Sequence, residues 1–305
     1  MEKFEEAAKS LKKSMKGIGT DENRLIKEIV NHSNVQRQEI KEIYLTMYGK
    51  SLEEDIKSET SGHFLDTLIA LLEPIDNYEP KMLRKALKGL GTNEKVLIQT
   101  LCPKEAFEIE NLRNTYNSIY ERNLEKDIES ECKGYLGRLL RSLASAGRSD
   151  NYRVDLSLAK KEAQELYDAG EGKFGTDESE FIRILCSRSF PQLNATFEEY
   201  KKVSGNDIEK AIKKEMSGDM EKACLAIVKA CKNRPAYYAE ELFKAMKGIG
   251  TNDETLIRLI VSRAEIDLDR IKYEYEEMYG KSLYDAVKSE TSGDYKKLLL
   301  SLIGN

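Results

Sequence analysis

Residues 15–30 read MKGIGTDENRLIKEIV, and the same phrase returns three times. LKGLGTNEKVLIQTLC starts at Leu87 and MKGIGTNDETLIRLIV at Met246; a divergent copy, GEGKFGTDESEFIRILC, starts at Gly170. The glycine before each threonine sets a register: Gly19, Gly91, Gly175 and Gly250, spaced by 72, 84 and 75 residues. Self-similarity at this period makes the repeat, not the whole chain, the unit to be explained. The longer middle spacing contains residues 144–155, ASAGRSDNYRVD, which are polar and glycine-containing and read as a linker. The expected divisions are 1–73, 80–143, 156–231 and 235–305, with 144–155 as the joint.

The interior of each repeat has a helical period. Ile40, Ile43, Tyr44, Met47 and Tyr48 form the stripe of a half-buried helix. The stripe returns as Ile109, Leu112, Tyr116, Ile119 and Tyr120, and as Leu268, Ile271, Tyr275, Met278 and Tyr279. No sustained period-2 alternation competes with it. Sixteen of the 19 glycines fall in three recurring loop positions. The five prolines, at 74, 80, 103, 191 and 235, also fall between apolar stripes. The pattern predicts an all-α protein of four repeats, each of about five short helices.

Composition removes several function classes. No apolar run approaches the roughly 18–20 residues of a membrane-spanning helix. The N-terminus, MEKFEEAAKSLKKSMKG, lacks a signal-peptide apolar stretch, so a cytoplasmic protein is expected. Cys102, Cys132, Cys186, Cys224 and Cys231 include no C-x-x-C pair and are expected to be buried free thiols. His32 and His63 occur only in the first repeat. Nucleophile-elbow, P-loop and zincin motifs are missing, so no enzyme is expected. The formal charge of −5 argues against nucleic acid, and taken alone it implies repulsion from an anionic membrane.

Two loops per repeat carry the chemistry. In x-K-G-x-G-T the glycines permit turns that a side chain would forbid, and Thr20, Thr92, Thr176 and Thr251 are predicted to cap the next helix. Forty residues past each marker glycine stands a glutamate: Glu59, Glu131, Glu215 and Glu290. A carboxylate near a helix C-terminus is disfavoured by the dipole, so four in one register need a shared reason. A hard cation supplies it. Calcium takes six to eight oxygens, among them backbone carbonyls and often a bidentate carboxylate. A glycine loop that turns three carbonyls to one point, with one glutamate beside it, leaves room for water or a lipid phosphate oxygen.

The sequence resembles the annexin family over essentially its whole length. The likeness rests on the four K-G-x-G-T-type loops, their glutamate partners, and stretches such as SNVQRQEI and LIVSRAEIDLDRIK. It implies right-handed superhelical repeats in a slightly curved disc. It also implies reversible, calcium-dependent binding to anionic, phosphatidylserine-type phospholipid membranes. Carried over position by position, it makes the carbonyls of Met15, Gly17 and Gly19 with Glu59 the first calcium site. Leu87, Gly89, Gly91 and Glu131 form the second, and Gly170, Lys173, Gly175 and Glu215 the third. Met246, Gly248, Gly250 and Glu290 form the fourth. The third loop departs from the pattern as G-K-F-G-T. The second departs in its acidic loop, where Cys132 and Lys133 replace small hydroxyl residues. The resemblance also raises a central polar channel lined by residues such as Arg113 and Arg263, with salt bridging between modules as the simpler expectation for both.

The residue at each loop tip is Ile18, Leu90, Phe174 or Ile249. Large apolar tips are costly to expose unless they fold back or enter an interface, so these four are the expected membrane contacts. Only 14 residues precede Met15, so a partner recruited by an N-terminal tail is not expected. A monomer is expected without calcium, with self-association on the membrane. The rival reading is a calcium-independent helical-repeat scaffold for protein partners. Charge favours a switch: four divalent cations add eight positive charges and turn −5 into +3.

Overall fold

A computed structural model describes residues 2–17, 19–89, 91–248 and 250–304 of the chain. Among them the regular structure is helical, without strands. The first repeat holds α1 (Glu2–Ser14), α2 (Glu22–Val30), α3 (Asn34–Tyr48), α4 (Leu52–Glu59) and α5 (Gly62–Leu72). The second holds α6 (Ile75–Leu87), α7 (Glu94–Leu101), α8 (Ala106–Tyr120), α9 (Leu124–Glu131) and α10 (Gly134–Ala144). The third holds α11 (Leu156–Ala169), α12 (Glu178–Ser187), α13 (Phe190–Ser204) and α14 (Ile208–Glu215), followed by α15 (Gly218–Met246). Asn233 interrupts α15 with φ −158° and ψ 96°, which separates the last helix of the third repeat from the first of the fourth. The fourth repeat continues with α16 (Asp253–Arg263), α17 (Leu268–Tyr279), α18 (Leu283–Glu290) and α19 (Gly293–Ile303). Five helical stretches per repeat match the expectation.

Local chemistry sets these boundaries. Ser33 and Ser51 each open a helix with a capping box, closed by Gln36 and Glu54. The third helix of each repeat stops on a left-handed residue, which is Gly49, Gly205 or Gly280 in three repeats. In the second it is Glu121, at φ 52°. The proline expectation fails in part: Pro191 lies at the start of α13, Pro235 lies inside α15 just past the Asn233 break, and Pro80 lies inside α6. The helix begins at Ile75, so the ring sits in its second turn and removes one early hydrogen bond.

The same registers are buried in every repeat. Leu25, Leu97, Phe181 and Leu256 are fully buried, as are Ile56, Ile128, Ile212 and Val287. Tyr44, Tyr116, Tyr200 and Tyr275 share one register and are buried too. Met47 and Met278, counted in the apolar stripe, lie exposed in the last turn of their helices, where the stripe runs off the core.

The chain divides into two compact units. One combines the first and fourth repeats, residues 1–78 and 238–305. Within it Arg37, almost fully buried, donates to the carbonyls of Leu71 (2.8 Å) and Ile29 (3.2 Å) and to Glu265 of the fourth repeat (2.8 Å). The other unit is residues 79–237, the second and third repeats. Residues 145–155 have no helix but are stitched down. Buried Arg148 donates to the carbonyls of Leu185 (2.9 Å) and Arg188 (2.7 Å) and stacks on Phe190 at 4.8 Å. Arg113 pairs with Glu125 at 3.0 Å, and buried Arg263 pairs with Asp267 at 2.7 Å. Each of these ion-pair partners comes from the arginine's own repeat, not from another module.

Candidate functional site

Each glycine loop is pinched shut by one hydrogen bond. The N–H of Asp21 donates to Ser14 O at 2.8 Å, and that of Asn93 to Ala86 O at 3.0 Å. Asp177 donates to Ala169 O at 2.7 Å and Asn252 to Ala245 O at 2.8 Å. Between the pinch points the backbone turns through left-handed angles. Gly17 has φ 114° and Gly19 φ 83°, values that a side chain rarely adopts. A Cβ built on either would meet nothing within 4 Å, so backbone angle and not crowding demands glycine there. The second and fourth loops repeat these angles, whereas in the third only Gly175 has positive φ. Among the described residues the carbonyls of Met15, Gly17 and Gly19 accept no hydrogen bond. In the third loop Gly170 O accepts from Lys173 N at 3.1 Å.

The acidic loops arrive beside these turns. Glu59, Glu131, Glu215 and Glu290 are the final residues of α4, α9, α14 and α18. The next residue is extended in each case, and Gly62, Gly134, Gly218 and Gly293 then open the fifth helix with φ between 61° and 65°. A threonine hydroxyl joins the two loops in every repeat. The Thr20 hydroxyl donates to Glu59 O at 3.4 Å and that of Thr92 to Glu131 O at 3.4 Å. Thr176 donates to Glu215 O at 3.0 Å and Thr251 to Glu290 O at 3.3 Å.

This corrects the expected caps. The side chains that cap α2, α7, α12 and α16 are Asp21, Asn93, Asp177 and Asn252, one residue later than predicted. They accept from Arg24 N (3.0 Å), Val96 N (3.2 Å), Ser179 N (3.1 Å) and Thr255 N (2.9 Å). With the caps supplied, the threonine hydroxyls are free to reach a carbonyl 39 residues away.

The second acidic loop keeps this geometry despite Cys132 and Lys133. Cys132 is buried and its carbonyl presses on Gly137, where a Cβ would lie 2.3 Å from it. Burial, with Glu94 and Glu131 nearby, pushes the Cys132 thiol up to about 11. All five cysteines are free and buried, as expected.

The carboxylates of Glu59, Glu131 and Glu290 are exposed, whereas that of Glu215 is half-buried. No cluster of three or more His, Cys, Asp or Glu side chains that could hold a metal occurs among the described residues. A cation at these loops would therefore depend on backbone oxygens, and the unspent carbonyls suit a hard ion. Phe174, at the third tip, is fully exposed. The other expected tips, Ile18, Leu90 and Ile249, lie outside the described residues.

Comparison with known proteins agrees with the repeat register. The family model described as Annexin matches residues 6–71, 78–143, 161–227 and 237–302. Annexin A4 of Bos taurus is 47% identical over 299 residues, covering 98% of this chain and 94% of that protein. The solved structure of annexin III is 45% identical with TM-score 0.95, covering 99% of this chain and 94% of that one. A calcium-bound annexin (Sm)1 structure is 35% identical with TM-score 0.85, covering 100% and 92%. Fourfold helices, fourfold loops and these likenesses lead to one conclusion: the chain belongs to the annexin family, whose members bind phospholipid membranes in a calcium-dependent way.

Proposed function

We propose that this chain binds anionic phospholipid reversibly through one calcium site per repeat. The ligands are the carbonyls of Met15, Gly17 and Gly19 with Glu59; Leu87, Gly89 and Gly91 with Glu131; Gly170, Lys173 and Gly175 with Glu215; and Met246, Gly248 and Gly250 with Glu290. The observation that carries the reading is the threonine bond that ties each glycine loop to its glutamate. It holds two segments 39 residues apart side by side, which supports a site made of carbonyls and a carboxylate. Calcium, when held by these residues, would offer its remaining coordination positions to a lipid phosphate oxygen.

The chain's own residues do the rest. The pinch bonds hold each turn before any ion arrives, which lowers the ordering cost of binding. A single carboxylate per loop keeps each site weak alone, so attachment follows the calcium level. Phe174 stands free to enter the interfacial layer. None of the described helices is long and apolar enough to cross a membrane, so attachment is peripheral in this reading. The test is sedimentation with phosphatidylserine vesicles with and without calcium. Calcium-dependent pelleting is expected; pelleting indifferent to calcium would favour the scaffold reading.

A further inference from the structure

The third repeat differs from the others at one position next to its carboxylate. The residue before the helix-ending glutamate is Ser58, Ser130 and Ser289 in the first, second and fourth repeats, and Lys214 in the third. Each serine bonds a carbonyl of its own helix, Asp55 O (2.8 Å), Asp127 O (2.9 Å) and Ala286 O (2.8 Å), and Ser130 also lies 3.1 Å from Glu131 Oε1. Lys214 instead reaches the loop. Its ammonium lies 3.5 Å from Glu215 Oε1 and 3.9 Å from Glu171 Oε1. Thr176 holds the other Glu215 oxygen at 3.2 Å.

Glu171 is anchored by the core tyrosine of its own repeat. In the first two repeats the core tyrosine gives its hydroxyl to an aspartate: Tyr44 to Asp55 at 2.5 Å and Tyr116 to Asp127 at 2.6 Å. The matching residue of the third repeat is Ala211. Tyr200 turns to the loop instead and donates to Glu171 Oε2 at 2.9 Å, while Asn206 donates to Oε1 at 3.0 Å. The third loop therefore carries two anchored carboxylates, with a lysine ammonium beside both.

We propose that Lys214 is a built-in competitor that sets the calcium affinity of the third loop. This rests on the reading above that Glu215 is a calcium ligand. An ammonium near two carboxylates must give up that attraction when a divalent ion takes its place. Lys214 is 64% exposed, so solvent screens the attraction, and the penalty is a few-fold loss of affinity and not abolition of the site. In the third repeat the cation stands against the carboxylate itself, whereas Lys50 and Arg122 of the first two repeats are paired with Asp55 and Asp127, and Lys281 of the fourth donates to Ser289.

The test is calorimetric titration of calcium into the full chain carrying Glu59→Gln, Glu131→Gln and Glu290→Gln, which leaves the third carboxylate alone. Adding Lys214→Ser, the residue of the other repeats, is expected to tighten binding about threefold to fivefold. Lys213→Ser removes the same charge one residue away and is expected to change it less than about twofold. Equal effects of the two substitutions, or no binding with either, overturn the role of Lys214. A triple-Gln chain that still binds as many calcium ions as the unmodified chain overturns the glutamate reading itself, and the lysine's role with it.

Discussion

The hydroxyl of Thr251 donates to the backbone carbonyl of Glu290 at 3.3 Å, joining two loops that are 39 residues apart in the chain. The bond lies at the surface, so its net contribution to global stability is small, about 0.5–1 kcal/mol. Its effect on the site is larger, because it fixes where the glutamate stands relative to the turn. Thr251→Val keeps the shape and removes the donor. We expect calcium affinity at the fourth loop to fall about twofold to fivefold by calorimetry, with Thr251→Ser close to the unmodified protein. Equal affinity in all three would show that the tie is incidental.

Acid stability of the first repeat should depend on Asp55. This carboxylate accepts from Lys12 at 2.7 Å and from Tyr44, and it pairs with Lys50 at 2.8 Å. Burial alone would raise its pKa, but these donors overrule it and bring the group from 3.8 down to about 2. A depressed folded pKa means stabilisation that is complete above about pH 4 and lost as pH falls through about 2. Asp55→Asn should lower stability at pH 7 by about 2 kcal/mol and flatten the decline between pH 4 and 2. Urea midpoints measured across that window check both. An unchanged decline would place the acid sensitivity elsewhere.

Glu121 occupies the left-handed position that glycine holds in the other three repeats, at φ 52° and ψ 34°. A side chain pays for that angle, while glycine costs more entropy to order. The balance favours glycine, so Glu121→Gly should stabilise the protein by about 0.5–1 kcal/mol. The mirror change, Gly49→Ala, should destabilise it by about 1 kcal/mol. Thermal unfolding of both variants is the check; a destabilised Glu121→Gly would mean that Glu121 makes a compensating contact.

Phe174 should act at the membrane and not in the fold. Its ring is fully exposed, so Phe174→Ala should leave thermal stability and calcium stoichiometry unchanged. Loss of one aromatic ring from an interfacial contact should weaken vesicle retention about threefold to tenfold. Unaltered retention would show that the ring stays out of the lipid.

Much of this architecture is legible in the chain because one register is written four times. The marker glycines and the glutamates forty residues on align without reference to space, and the apolar stripes at Tyr44, Tyr116 and Tyr275 give the helices. What escapes is choice between neighbours. Thr20 and Asp21 are both good caps, and only the nearness of Glu59 O decides that the threonine turns outward. Tyr200 looks like Tyr44 and Tyr116 until Ala211 leaves it without an aspartate. Lys214 reads as one more surface charge, although its position beside three serines in the other repeats was the available signal. Pro80 misleads because α6 starts five residues before it.

The central claim is that the four helix-ending glutamates hold calcium for the membrane. The most direct measurement is calcium-dependent sedimentation with phosphatidylserine vesicles of a chain carrying Glu59→Gln, Glu131→Gln, Glu215→Gln and Glu290→Gln, with helicity followed by circular dichroism. An intact helical spectrum is expected, with loss of pelleting at calcium levels that bring down the unmodified protein. A folded quadruple variant that pellets at the same calcium level would contradict it.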